Sequence, residues 1–306
     1  MGVPFVGAEE LARLLPMAAA IDAVEAAFGA GSLPEAPLRS NLDTADGSLL
    51  LMPATGPQGA GVKLVTLTPS NPERGLPFIH AAYALFEAGT QALRAIVDGA
   101  ALTALRTGAV SGLATRYLAR PDARRLAIFG AGVQARSHLE AMRAVRPIED
   151  VLVISRTPER AESLVREAVT AGLDTRVGEP FDVGSADLVC TCTTSSSPVL
   201  DGGLLAPGAH VNAVGAYTHE TREVDTTGVR RAKVVVETRE AAMAEAGDLL
   251  LAIDEGAIGP EHVLADLSQV VGGASVRTSD EDLTLFKSVG VAFEDLVVAS
   301  AAVDRR

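Results

Sequence analysis

From residue 8 to residue 30 apolar positions recur at spacings of three and four among Ala, Leu and Glu, which predicts one or two helices interrupted near Pro16. The rhythm changes at Ser48. From there to Asp98 short apolar runs (Leu49 to Met52, Val62 to Leu67, Phe78 to Phe86, Ala92 to Val97) are separated by Gly and Pro clusters such as residues 53–57 and 69–72. Runs that follow one another with no helix between them predict an antiparallel or mixed sheet. Residues 99–118 then read as a long Ala-rich helix that ends ahead of Pro121.

Beyond Pro121 strands and helices alternate. Arg125 to Phe129 reads as a strand, Val133 to Val145 as a helix, Val151 to Ile154 as a strand and Pro158 to Ala171 as a helix, with further buried strands at Leu188 to Thr191, His210 to Val214 and Lys233 to Val236. Such alternation predicts right-handed crossovers on a parallel sheet.

Leu126 to Phe129 runs directly into Gly130-Ala131-Gly132-Val133-Gln134-Ala135, a Gly-x-Gly-x-x-Ala turn between strand and helix. Gly130 permits the tight turn, Gly132 lets a pyrophosphate approach the backbone, and Ala135 lets helix and strand pack closely. The helix N-terminus offers N–H groups and a positive dipole end to phosphates. Strand, motif and helix in that order predict a dinucleotide site. About 20 residues on, an acid would normally grip the ribose hydroxyls of NAD. The chain instead reads Ser155-Arg156-Thr157-Pro158, with no acid at the strand tip. Arg156 can face a 2′-phosphate, which favours NADP(H) over NAD(H), and Thr157 can cap a helix whose first residue is Pro158.

The chain has 306 residues, 48% hydrophobic, enough for one large or two ordinary domains with proper cores. A net charge of -13 without any basic run argues against nucleic acid as the main partner. Cys190 and Cys192 cannot build a disulfide framework and read as reduced packing thiols. The amino end lacks the order of a signal peptide, and no long uninterrupted apolar window occurs, so a cytoplasmic protein with no membrane association is expected. His80, His138, His210, His219 and His262 have no metal-ligand spacing, so no metal is expected.

Only three of the 26 basic side chains are lysines. Lys63 lies within Gly61-Val62-Lys63-Leu64-Val65 and points to the face opposite Val62 and Leu64. Alone it reads more readily as a solvated edge-strand lysine. Arg39, in a loop, and Arg106, in the long helix, read either as snorkelling surface groups or as an anion site.

Taken together, several stretches resemble the ornithine cyclodeaminase and mu-crystallin family. They are Gly61-Val62-Lys63, Asn71-Pro72 followed by Arg74-Gly75-Leu76-Pro77, Leu102-Thr103-Ala104-Leu105-Arg106-Thr107-Gly108-Ala109, the Gly130 turn, and Phe286-Lys287-Ser288-Val289-Gly290 with Glu294-Asp295. They cover the chain in order. The resemblance implies an α/β protein in which a Rossmann NAD(P)-binding domain, residues 121–286, is inserted into an α+β substrate-binding and dimerisation domain, residues 1–120 plus 287–306. It implies a homodimer closed through the substrate-domain sheets, and hydride chemistry at the α-carbon of a small amino or imino acid. Arg39, Lys63 and Arg106 would surround the substrate carboxylate, with His80 on a strand near the substrate. The cofactor set would be Thr107, Gly130, Gly132, Val133, Gln134, Ser155, Arg156, Thr157, Thr193, Val214, Gly215 and Ser288. Asp225 looks like the family's structural acid ahead of a short helix.

One departure shapes the functional reading. Cyclodeaminases carry an acid two positions after the Gly of a Val-Gly strand end, whereas this chain reads Val214-Gly215-Ala216-Tyr217. A phenol with an ordinary pKa of about 10 neither holds an ammonium as a carboxylate does nor takes its proton near neutrality. Reduction of a C=N bond is therefore expected over ornithine cyclisation: an NADPH-dependent reductase of ketimine or cyclic imine carboxylates, such as a pyrroline-2-carboxylate. Lys63, Tyr217 or water would supply the proton, with His219 as a second relay candidate. The rivals are ornithine cyclodeaminase, an amino-acid dehydrogenase and a non-catalytic NADP(H)-dependent binding protein.

Overall fold

The computed structural model describes residues 2–306 and divides into two units, one running to Ala109 and resuming at residues 291–306, the other residues 110–290. The division falls inside a helix, after Ala109, and again after Gly290, rather than at the anticipated 120 and 286.

The first unit begins with β1 (Phe5–Val6), α1 (Ala8–Leu14) and α2 (Met17–Phe28). Pro16 stands at the N-cap of α2 and breaks the two helices apart, as its missing N–H requires. There follow β2 (Ser40–Thr44), β3 (Gly47–Gly56), β4 (Gly59–Leu67), β5 (Ile79–Phe86) and β6 (Leu93–Asp98), then α3 (Gly99–Leu118), which carries the chain into the second unit. The six strands form one sheet in the order β1-β6-β5-β4-β3-β2, antiparallel except for β1 beside β6. It is the mixed alternative of the two expected. β2 was not foreseen, because all five of its residues are exposed and polarity alternates weakly.

The second unit contains β7 (Arg125–Phe129), α4 (Val133–Val145), β8 (Asp150–Ile154), α5 (Pro158–Thr170), β9 (Asp174–Val177), β10 (Leu188–Thr191) and β11 (His210–Ala213). It continues with α6 (Thr226–Arg231), β12 (Lys233–Val236), α7 (Arg239–Glu245), α8 (Gly247–Asp254), β13 (Val263–Asp266), α9 (Leu267–Val271) and β14 (Thr284–Lys287). Its eight strands pair only in parallel, in the order β13-β12-β14-β11-β10-β7-β8-β9. The sheet winds outward in both directions from β7 and β10, so its switch point lies at the carboxyl end of the strand that carries the glycine turn.

The chain returns to the first unit as α10 (Ala292–Val303), which packs on α2, β3, β4 and β5. Phe293 meets Phe28 of α2 edge to face, ring centroids 5.2 Å apart. One face of the six-stranded sheet, with Leu50, Met52, Val65, Tyr83 and Leu85, is thereby buried. Register places Leu51, Val62, Leu64, Ala82 and Ala84 on the opposite face, where Leu64 is 42% exposed.

Candidate active site

Lys63 lies in β4, between β3 and β5, with only 1% of its surface accessible. The solvated edge-strand reading therefore falls: the strand is internal, and its alternation turns Lys63 inward while Leu64 faces out. Its Nζ stands 2.7 Å from Asp295 Oδ2 and 2.9 Å from Asp295 Oδ1. Arg106, in α3, donates through Nη1 to Glu294 Oε2 at 3.1 Å and places Nε 3.3 Å from Asp295 Oδ1. Both acids sit fully buried in the first turn of α10, where Glu294 also accepts from the Val291 N–H and so caps the helix. Buried charges survive only when paired and hydrogen-bonded, and the two cations and two acids meet that condition together.

Half-buried Arg39 adds a third positive charge within electrostatic reach of Lys63. Burial and then the charge of Arg106 bring the Lys63 pKa down to about 8, Arg39 adding to the fall and Asp295 opposing it. Lys63, Arg39 and Arg106 are thus brought together as expected. His80 is not. It pairs with Thr66 on the exposed face of the sheet, whereas Lys63 pairs with Tyr83 on the buried one, and the two-residue period of a strand separates them. Thr107 is buried, its hydroxyl donating back to Thr103 O at 2.7 Å.

In the second unit the glycine turn has the shape a dinucleotide needs. Gly130 has φ +108°, and a Cβ there would lie 2.5 Å from Cys192 O, so only glycine fits. A Cβ on Gly132 would meet nothing within 4 Å, which leaves that backbone open to a ligand. Ala135 is fully buried while Val133, at the start of α4, is 67% exposed. Gln134 follows, half-buried, its backbone carbonyl 2.8 Å from His138 Nδ1. These features suit a pyrophosphate on the α4 N-terminus.

At the end of β8, Arg156 is exposed and Ser155 Oγ accepts from the Thr157 N–H at 3.3 Å. Thr157 occupies the N-cap of α5 with Pro158 following, but its own side chain makes no capping bond, which corrects that detail.

The strand ends nearby are tied by acids that sequence reasoning passed over. Glu223, fully buried, accepts from Thr191 Oγ1 (2.8 Å), Thr193 N (2.6 Å), Thr193 Oγ1 (2.7 Å) and Gly215 N (2.6 Å). Burial and the neighbouring Asp248 push its pKa up, while Lys287 and Thr193 pull it back. Asp248 accepts from the Glu223 and Val224 N–H groups and pairs with Lys287 at 2.8 Å. Glu237 accepts from Ser288 Oγ (2.6 Å) and from the N–H groups of Val289 and Gly290. The hydroxyls of Thr193 and Ser288 therefore donate to protein carboxylates. Val214 donates its N–H to Thr191 O, Tyr217 lies half-buried in the following loop, and exposed His219 has Nε2 2.9 Å from Asp254 Oδ2. Asp225 accepts from the Gly228 N–H and caps α6, as anticipated.

Residues 5–306 match the family described as the ornithine cyclodeaminase/mu-crystallin family. The chain belongs to that family. Delta(1)-pyrroline-2-carboxylate reductase of Bacillus cereus is 38% identical over 285 residues, spanning 88% of this chain and 85% of the relative. The Thermococcus litoralis Delta(1)-pyrroline-2-carboxylate reductase, solved with NADH and L-proline, superposes with a TM-score of 0.95 at 35% identity, covering 99% of this chain and 97% of that one. An archaeal alanine dehydrogenase dimer with bound NAD gives 0.93 at 33% identity, covering 100% and 96%. Membership in the ornithine cyclodeaminase/mu-crystallin family fits the doubly wound second unit as an NAD(P)-binding Rossmann domain. Among the described residues, no helix is long and apolar enough to cross a membrane.

The signal for Glu294 and Asp295 was present in the sequence, as two adjacent acids opening the apolar run Leu296-Val297-Val298. Nothing local connects them to Lys63 or Arg106.

Proposed function

We propose that the protein is an imine reductase of the ornithine cyclodeaminase/mu-crystallin family, acting on α-imino carboxylates, with cyclic imines such as pyrroline-2-carboxylate as the substrate class. The observation that carries this reading is the buried Lys63 held beside Arg106, a proton donor next to an anion-binding guanidinium. Arg39, Lys63 and Arg106 gather three cationic side chains in one place, a set suited to a substrate carboxylate. Arg39 and Arg106 take the carboxylate, and Lys63 faces the imine nitrogen.

When bound, the dihydronicotinamide supplies hydride to the imine carbon. Lys63, with a pKa of about 8, gives its proton to the nitrogen; the C=N double bond becomes C–H plus N–H, and the neutral lysine regains a proton from solvent. The first unit holds substrate and the second holds the dinucleotide on Gly130, Gly132, Val133 and Gln134, with the strand ends at Thr193, Val214, Gly215 and Ser288 shaping its bed. The nicotinamide cofactor is NADPH in preference to NADH, supported by exposed Arg156 and by the absence of a carboxylate among Ser155, Arg156 and Thr157.

The apolar outer face of the six-stranded sheet supports a homodimer closed through that face. The relatives solved as an alanine dehydrogenase give a second reading, oxidation of an amino acid at the same carbon, some support. A panel tests both: cofactor oxidation with pyrroline-2-carboxylate and with pyruvate plus ammonia or methylamine. Turnover with the cyclic imine supports the first reading, turnover confined to pyruvate plus ammonia supports the second, and tight cofactor binding without any turnover overturns both.

A further inference from the structure

Asp295 has no place in the roles proposed so far, yet it makes the shortest contacts to Lys63. Its two oxygens lie 2.7 and 2.9 Å from Nζ, both partners are essentially inaccessible, and Oδ1 also stands 3.3 Å from Arg106 Nε. The two contacts engage at most two of the three ammonium N–H groups.

We propose that Asp295 is the positioning residue for Lys63: its carboxylate anchors the ammonium between β4 and α10, leaves one N–H for the reacting nitrogen, and keeps the lysine in its charged form. The inference rests on the imine-reductase reading only for the identity of that nitrogen; the control of Lys63 by Asp295 stands apart from it.

The groups facing Lys63 come from every element around it. Arg106 of α3 and Arg39 ahead of β2 disfavour its charge, and so does burial. Asp295 of α10 favours it by charge and hydrogen bond, while Tyr83 of β5 remains an uncharged phenol, burial pushing its pKa well up. Glu294 is engaged with Arg106. Asp295 is thus the one carboxylate in direct contact with the ammonium among the described residues. With it removed, two positive neighbours and burial act unopposed, and the lysine should lose its proton at lower pH.

Because the chain has only three lysines, the test can be direct. Lysine-selective 15N and 13C labelling resolves the Lys63 ammonium by NMR, with Lys63→Met identifying its signal. In the intact protein Lys63 should titrate near 8. In Asp295→Asn the midpoint should fall by about 1–3 pH units, the range for losing an opposite charge at this distance. The alkaline limb of kcat/KM for the imine should move with it.

Asp295→Glu retains the charge and serves if the Asn variant does not fold: Lys63 should titrate close to the parent value while kcat falls, because a longer side chain displaces the ammonium. An unmoved midpoint in folded Asp295→Asn, or a parental kcat in Asp295→Glu, overturns the proposal. If the parent enzyme reduces no imine but the Lys63 midpoint still follows Asp295, the functional reading fails and the positioning role stands.

Discussion

Tyr83 lies across Gly61 so closely that a Cβ on the glycine would stand 2.0 Å from the phenol oxygen and 2.4 Å from the carbon that bears it. The two residues are on neighbouring strands, and the ring occupies the space a side chain at 61 would take. Tyr83 is fully buried, so moving its ring means disturbing the core around it. Gly61→Ala should therefore destabilise the fold by about 1–3 kcal/mol through overpacking. Tyr83→Phe should be nearly neutral, since the buried hydroxyl has no hydrogen-bond partner among the described residues. Urea denaturation of both variants checks this; a neutral Gly61→Ala would contradict the packing.

Acid should weaken the protein before its surface carboxylates titrate. His138 is buried, with Nδ1 donating to Gln134 O and Nε2 accepting from Ser111 Oγ, and burial brings its pKa down to about 4. Burial and then Arg277 bring His210 down to about 3. The unfolded chain takes up these protons near pH 6.5, so their stabilising contribution is complete above that pH and is lost as pH falls toward 4 and then 3. His138 alone should account for on the order of 3 kcal/mol over that window. Denaturation midpoints from pH 7 to 4 should fall steeply in the parent and less steeply in His138→Gln; parallel slopes would contradict it.

Glu223 gathers four donated hydrogen bonds from the ends of β10 and β11. In Glu223→Gln an amide N–H₂ must face some of those donors. The expected cost is about 1–3 kcal/mol in stability, the penalty for leaving buried groups unsatisfied. NADPH affinity should weaken too, since Thr193 and Gly215 shape the proposed cofactor bed. Fluorescence titration with NADPH beside a melt measures both, and unchanged binding would remove Glu223 from any role in shaping that bed.

Arg156 decides between cofactors. Arg156→Ala should weaken NADPH binding by about ten- to a hundredfold, the loss of a charge-assisted contact, with NADH almost unaffected. Equal weakening of both would detach Arg156 from the 2′-phosphate.

Much of this was legible in the sequence for definite reasons. The glycine turn is a contiguous motif between a strand and a helix, so local order identified it, and Lys63 stood out for its rarity and its place in an apolar run. Asp295 was unreadable as a partner because it lies 232 residues from Lys63, and only the return of α10 onto β4 joins them. His80 failed for a related reason: proximity along a strand does not fix the face, and the pairing of Lys63 with Tyr83 sends His80 the other way. β14 follows late in the chain yet fills the gap between β11 and β12, a placement set by long-range pairing that no local pattern encodes.

The pH profile of imine reduction by the parent enzyme and by Lys63→Met tests the central claim most directly. With Lys63 as proton donor, kcat/KM for pyrroline-2-carboxylate should fall as pH rises through about 8, since the donor must be protonated, and oxidation of the product amine should rise over the same interval. Lys63→Met should lose about 10²-fold or more in kcat, and its remaining activity should lack that limb, with cofactor affinity preserved. A Lys63→Met enzyme with parental kcat and the same alkaline limb would contradict the claim and leave Lys63 as a buried structural cation.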